Sequence, residues 1–96
     1  MTEEAKIKLN ISQVAVGHTG PHREPIKAKK PVSTTIQDLL NMLYPQLEVK
    51  KSEVLHMFVA KNQFMPPPDT KIGDLYNLFA DGDILRLEYC SQMTYG

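Results

Sequence analysis

Apolar and polar side chains alternate at the start of the chain, with Ile7, Leu9 and Ile11 on one face and Lys6, Lys8 and Asn10 on the other. Period two marks a half-buried strand. Val14 and Val16 fall one residue out of phase, which predicts a bulge or the end of that strand. Gly17-His18-Thr19-Gly20-Pro21-His22 is loop chemistry throughout. A second, weaker strand is predicted from Pro25 to Val32, with Ile26, Ala28 and Val32 as its apolar side chains. It closes a hairpin, and Pro31 confines it to a sheet edge or a strand end.

The period then changes. Ile36, Leu39, Leu40 and Leu43 recur at i, i+3, i+4 and i+7, the single apolar stripe of a helix. Thr34 and Gln37 have capping-box spacing at its start. Asp38 sits in the first turn, where the helix dipole favours a carboxylate, and Pro45 predicts an end at about Tyr44. A polar connection, Gln46 to Glu53, leads to a third strand from Val54 to Ala60. Asn62-Gln63 reads as a turn and Phe64 to Asp69 as a rigid, proline-rich link that positions a short helix. That helix is predicted to run to about Phe79, capped by Asp69 or Thr70, with Ile72, Leu75 and Phe79 on one stripe. Asp81-Gly82 is a turn signal before a last strand whose core face is Leu85, Leu87 and Tyr89 and whose other face is Arg86, Glu88 and Cys90.

The order is strand, strand, long helix, strand, short helix, strand. These faces are most simply buried by an α+β architecture in which a four-stranded mixed sheet wraps a helix. That is the ubiquitin-like β-grasp, with one long and one short helix and with the first and last strands adjacent and parallel at the centre. Ninety-six residues suffice for one such domain. Residues 1–5 are expected to be a flexible N-terminal tail, 6–90 the β-grasp domain and 91–96 a flexible C-terminal tail ending at Gly96.

Charge narrows the function classes. The net charge is zero, which argues against a general nucleic-acid binder, whose affinity comes mainly from phosphate neutralisation. The distribution is uneven, however. Residues 1–51 hold eight Lys/Arg against five Asp/Glu, and residues 52–96 hold three against six. Local patches of this kind suit protein partners. No run approaches the ~20 apolar residues of a membrane span, the first ten residues do not read as a signal peptide, and one cysteine fits a cytosolic chain.

Candidate chemistry is sparse. Cys90 lacks an accompanying His or Asn motif and reads as a buried apolar side chain. His18 and His22 lack further ligands nearby and read as loop residues rather than a metal site. His56 reads as a paired or solvent-facing strand residue. Neither a catalytic residue nor a bound metal or cofactor is expected.

The second half resembles a family. A threonine-led TIQ helix is followed by a strand ending near Asn62. Phe64-Met65-Pro66-Pro67-Pro68-Asp69 comes next, and then Gly73, Leu75, Tyr76 and Phe79. Last come Leu85, Leu87, Tyr89, Cys90 and the terminal pair Tyr95-Gly96. Together these are similar to the ubiquitin-like autophagy-related protein twelve family, over roughly Thr34 to Gly96. Tyr95 stands where the family usually has Trp, and Pro31 where it often has an aromatic.

The resemblance implies a protein modifier rather than an enzyme. The Gly96 carboxylate would be the acyl donor, adenylated by an activating enzyme that consumes ATP, and Tyr95 would be read by the processing enzymes. The acyl group would pass as a thioester to a conjugating enzyme and end as an isopeptide on a lysine of autophagy protein five. The conjugate would then promote lipidation of a sister modifier, with Lys29, Lys30 and Phe64 contacting that pathway's lipid-conjugating enzyme; the alternative for these three is a solvated lysine face and a core phenylalanine. It would work in the cytoplasm and at the forming autophagosome, meeting membrane only through the conjugate. The alternatives are a lipid-conjugated autophagy modifier and a non-covalent β-grasp interaction domain.

Overall fold

The computed structural model describes residues 5–14, 24–47 and 53–93. The elements are β1 (Lys6–Gln13), β2 (Ile26–Pro31), α1 (Ile36–Gln46), β3 (Glu53–Val59), α2 (Ile72–Phe79) and β4 (Ile84–Met93). The strands form one sheet in the order β2-β1-β4-β3. β1 runs antiparallel to β2 and parallel to β4, and β3 runs antiparallel to β4. This is the expected mixed sheet, with the first and last strands side by side at its centre.

The alternation along the central strands explains that placement. Ile7, Leu9 and Ile11 of β1 and Leu85, Leu87 and Tyr89 of β4 all point into the core. Leu9 lies opposite Leu85 and Ile11 opposite Leu87, so the two apolar rows meet directly. Leu55, Met57 and Val59 of β3, Ile36, Leu39 and Leu43 of α1 and Ile72 and Leu75 of α2 complete the core. Burying one such side chain stabilises by roughly 1.5–3 kcal/mol, so the strands with the most apolar faces belong where both neighbours cover them. β2, with no fully buried residue, takes an edge. There Pro31, which cannot donate to a ladder, ends the strand.

β1 ends at Gln13, and the Val14 N–H still donates to the Tyr89 carbonyl at 2.9 Å. Val16 and the Gly17–His22 loop lie outside the described residues. At the far end, β4 continues through Ser91, Gln92 and Met93, which pair with Leu55, Val54 and Glu53. The expected start of a flexible tail at residue 91 therefore falls inside the sheet. These three residues carry no apolar alternation, and their order comes from the backbone ladder to β3.

The helix boundaries depart from the sequence signals for identifiable reasons. The N-cap of α1 is Thr35, not Thr34. The Asp38 N–H donates to Thr35 Oγ1 at 3.1 Å, and the Thr35 N–H donates back to Asp38 Oδ2 at 3.0 Å. Thr34 is one residue out because its carbonyl serves elsewhere, accepting from the Ile72 N–H at 2.8 Å. α1 also continues past Tyr44 to Gln46, with Pro45 inside its last turn, because the Leu47 N–H still reaches the Leu43 carbonyl at 2.9 Å. A proline there gives up its own N–H bond and crowds the carbonyl four residues back, a cost confined to the last turn.

The proline-rich link is built into this junction. The first N–H groups of a helix have no intrahelical partner. In α1 the Ile36 N–H donates to the Thr70 carbonyl and the Gln37 N–H to the Pro68 carbonyl, at 3.0 and 2.8 Å. In α2 the N-cap is Lys71, without a side-chain bond, and neither Asp69 nor Thr70 caps it as expected. Its leading donors go instead to Thr34 and, from Gly73, to the Val32 carbonyl at 3.0 Å. Each helix start is thus satisfied by the chain leading into the other. A Cβ at Gly73 would sit 3.0 Å from both Val32 Cβ and Val32 O, so glycine allows the close approach.

Replacing Thr35 by alanine removes a reciprocal cap, and chemical denaturation should show a loss of about 1 kcal/mol. Thr34→Ala keeps the carbonyl that Ile72 uses and should cost markedly less. Equal losses would contradict the cap assignment.

Candidate functional site

β4 is the central strand that runs on to Met93. Residues Ile84 to Tyr89 are paired to β1 on one side, and Leu87 to Met93 to β3 on the other. The strand is clamped on both flanks from Leu87 to Tyr89 and on one flank from Cys90 to Met93. The Asp81-Gly82 turn starts it, with Gly82 at φ +65° and Asp81 and Ile84 exchanging backbone bonds at 2.8 and 3.2 Å. A left-handed residue is needed there, and glycine adopts that conformation without steric cost. The two expected chemical positions at the end of this strand, Tyr95 and Gly96, lie outside the described residues.

The other candidate site residues are not gathered in one place. Lys29 is opposite Lys8 and Lys30 is opposite Ile7. Cross-strand partners share a face, so Lys29 stands on the outer face of the sheet, exposed, and Lys30 on the helix side, half-buried. Phe64 lies beyond the opposite edge, where its carbonyl accepts from the Val59 N–H at 2.7 Å. At about 4.8 Å per strand, it is separated from Lys30 by at least three spacings, roughly 14 Å. Phe64 is 44% exposed and is not a core side chain. Its ring meets that of Phe79 at a centroid distance of 6.2 Å. Met65 beside it is exposed as well.

Cys90 is half-buried rather than buried. Its place in the alternation puts it on the outer face, opposite His56 of β3. Partial burial pushes its thiol above the ordinary range, the opposite of what a nucleophile needs. No group of three or more His, Cys, Asp or Glu able to hold a metal occurs among the described residues. His18 and His22 lie outside them. No helix among the described residues is long and apolar enough to cross a membrane.

Three features are not evident from the sequence pattern. Tyr44, at the end of α1, accepts the Leu55 N–H at 3.0 Å and so covers part of the exposed edge of β3. Lys8 pairs with Asp83 and Arg86 with Asp81, at 3.0 and 3.3 Å. Lys8 and Asp83 meet only through the β1–β4 register, whereas Asp81 and Arg86 meet across the local turn. The split of Lys29 from Lys30 could have been read from period two alone.

A mixed four-stranded sheet of this order, wrapped on one long helix with a parallel central pair, defines a ubiquitin-like β-grasp protein. A solved structure of Trypanosoma brucei ATG8 matches it with a TM-score of 0.78, over 95% of this chain and 77% of that one, at 18% identity. That likeness supports the fold. The family follows from sequence: the model of "Ubiquitin-like autophagy protein Apg12" matches residues 6–96, and the chain belongs to this family.

Among its relatives, the Ubiquitin-like protein ATG12 of Debaryomyces hansenii is 32% identical, over 100% of this chain and 61% of that protein. The Dictyostelium discoideum protein is 36% identical over 76% and 60%, and the Mus musculus protein 33% over 97% and 64%. The chain thus spans about three-fifths of the length of these three relatives.

Because burial raises its pKa, Cys90 holds less thiolate at neutral pH than a free cysteine. Iodoacetamide at pH 7 should alkylate the native protein several-fold more slowly than the denatured one, and the native rate should rise with pH. Equal rates at pH 7 would contradict this placement.

Proposed function

We propose that this chain is a covalent protein modifier of autophagy, acting through the carboxylate of Gly96. The observation that carries the proposal is the family match, which extends through Gly96. It is supported by a preceding strand held in the sheet as far as Met93.

The chemistry asks little of this chain. An activating enzyme joins the Gly96 carboxylate to the phosphate of AMP, and pyrophosphate leaves ATP. A cysteine thiolate of that enzyme then attacks the carbonyl, and AMP leaves. A conjugating enzyme's thiol displaces the first, and a lysine amine of autophagy protein five displaces the second, giving an isopeptide and returning a free thiol. The modifier supplies the carboxylate and a surface, while every nucleophile comes from a partner. Tyr95 lies beside the reacting carbonyl in the sequence, where a ring bound by the processing enzymes would orient it. The conjugate in turn promotes lipidation of the sister modifier, with Lys30, Lys29 and Phe64 as contacts for that lipid-conjugating enzyme. The setting is the cytoplasm and the forming autophagosome.

The sheet sets the reach of the donor. Thr94 to Gly96 can span at most about 11 Å when extended. A partner's cysteine or lysine must therefore come close to the end of the β3–β4 pair, so contact with the domain accompanies each transfer.

With the activating enzyme and ATP, the chain should form an adduct that a thiol reductant reverses, and deleting Gly96 should abolish it without loss of folding. In cells, mass spectrometry should find a branched Tyr95-Gly96 remnant on a lysine of autophagy protein five. An adduct that survives the deletion would overturn the proposal. Partner binding with no thioester under any condition would favour a non-covalent β-grasp domain.

A further inference from the structure

The outer face of the sheet, away from both helices, carries a concentration of positive charge that the acyl transfer itself does not use; of its residues only Lys29 is also among the contacts proposed above for the lipid-conjugating enzyme. Two adjacent rows cross β2, β1 and β4. The first holds Lys29, Lys8 and Ile84, and the second holds Lys27, Asn10 and Arg86. Lys8, Lys27, Lys29 and Arg86 line a groove of about 520 Å3, with Ile84 and Asn10 also in its wall. The short Asn10 side chain sits between Lys27 and Arg86 and leaves the depression.

The arrangement is unfavourable for the isolated fold. Lys8 and Lys29 are direct cross-strand partners, and like charges in that relation destabilise a sheet. Lys8 turns to Asp83 and Arg86 to Asp81, and the Asp83 carboxyl is held below its usual range by the hydrogen bond and charge of Lys8. No ion pair involving Lys27 or Lys29 occurs among the described residues, and both are exposed. A chain with no net charge thus places four cations around one depression and two carboxylates on its rim.

We propose that this groove is a docking site for an extended acidic peptide segment of a protein partner, with acidic side chains at alternate positions. Side chains two apart on one face of an extended chain are about 6.8 Å from each other. That equals the separation of the two cationic rows, so one carboxylate reaches Lys29 and Lys8 while the next reaches Lys27 and Arg86. The half-buried Ile84 offers apolar contact to a flanking side chain. The groove form and the exposed Asp81 and Asp83 on its rim favour a peptide over an anionic bilayer, which would press against both carboxylates at once. The site is on the opposite face from Lys30 and does not depend on Gly96.

The test is an NMR titration of the full chain at low salt with a synthetic octapeptide of alternating glutamate and serine. Controls are the same peptide with glutamine for glutamate and flotation with phosphatidylserine vesicles. The glutamate peptide should give saturable shifts at the Lys8, Lys27, Lys29 and Arg86 amides, and binding should weaken at least ten-fold between 50 and 200 mM salt. Lys29→Glu should abolish these shifts while raising the Tm of the free protein, because it replaces a like-charge cross-strand pair by an opposite one. Lys27→Gln, which adds no new pair, should weaken binding several-fold with little change in Tm. The absence of saturable shifts in the wild type, equal shifts with the glutamine peptide, or vesicle binding without peptide binding would each overturn the proposal.

Discussion

The parallel ladder between β1 and β4 is the constraint on which the rest of this domain depends. It joins the start of the chain to its last strand, through Lys8 opposite Ile84 to Gln13 opposite Tyr89. Two parallel strands cannot be joined by a short turn. Here the crossover carries β2, α1, β3 and α2, so every other element is enclosed by this pairing. It also brings the two most apolar strand faces together over α1, where Ile11, Leu39, Leu43, Leu85 and Leu87 are almost wholly withdrawn from water. With these strands central, β2 and β3 can only be edges, and the polar composition of β2 suits that position.

The second constraint is the junction of the two helix starts. Neither could be satisfied by its own side chains alone: α1 has one capping residue, Thr35, and α2 has none. Backbone carbonyls of Pro68, Thr70, Thr34 and Val32 supply the remainder. Proline suits this link because it fixes φ and keeps its carbonyl while lacking a donor that would itself need a partner. Pro66 is buried, so the link is packed as well as bonded. The short helix is thereby fixed against the end of β2, and Phe79 at its other end carries the ring on which Phe64 rests.

Much of this architecture was legible in the sequence because it rests on periodicity. The switch from period two at Ile7–Ile11 to the helical stripe of Ile36–Leu43 placed the elements, and the β-grasp architecture put the first and last strands at the centre, which suits their apolar faces. The features that escaped were set by tertiary partners. Thr34 and Thr35 each have a polar side chain three residues on, and only the claim of Ile72 on the Thr34 carbonyl decides between them. Ser91 to Met93 carry no apolar pattern, so their strand conformation follows from β3 alone. The split of Lys29 from Lys30 needed no such partner, because a strand sends adjacent side chains to opposite faces. Exposure of Phe64 depends on a turn that draws its carbonyl to Val59 and leaves its ring over Phe79. The chemistry proposed at Gly96, by contrast, would leave almost no mark on the fold, because such a modifier would contribute only a carboxylate and a surface.

The same ladder holds β4 beside β1 over its first part, while β3 alone pairs with its last part. It implies a gradient of protection along one strand, highest where both neighbours hold it and lower where only β3 does. Native-state amide hydrogen exchange measures this directly. The amides of Leu9, Ile11, Leu85 and Leu87 that donate within the sheet should exchange only through global unfolding, while those of Ser91 to Met93 open at lower free energy. Exchange of the Leu85 and Leu87 ladder amides at the rate of exposed loops, with β2 or β3 better protected, would contradict the central position of this pairing.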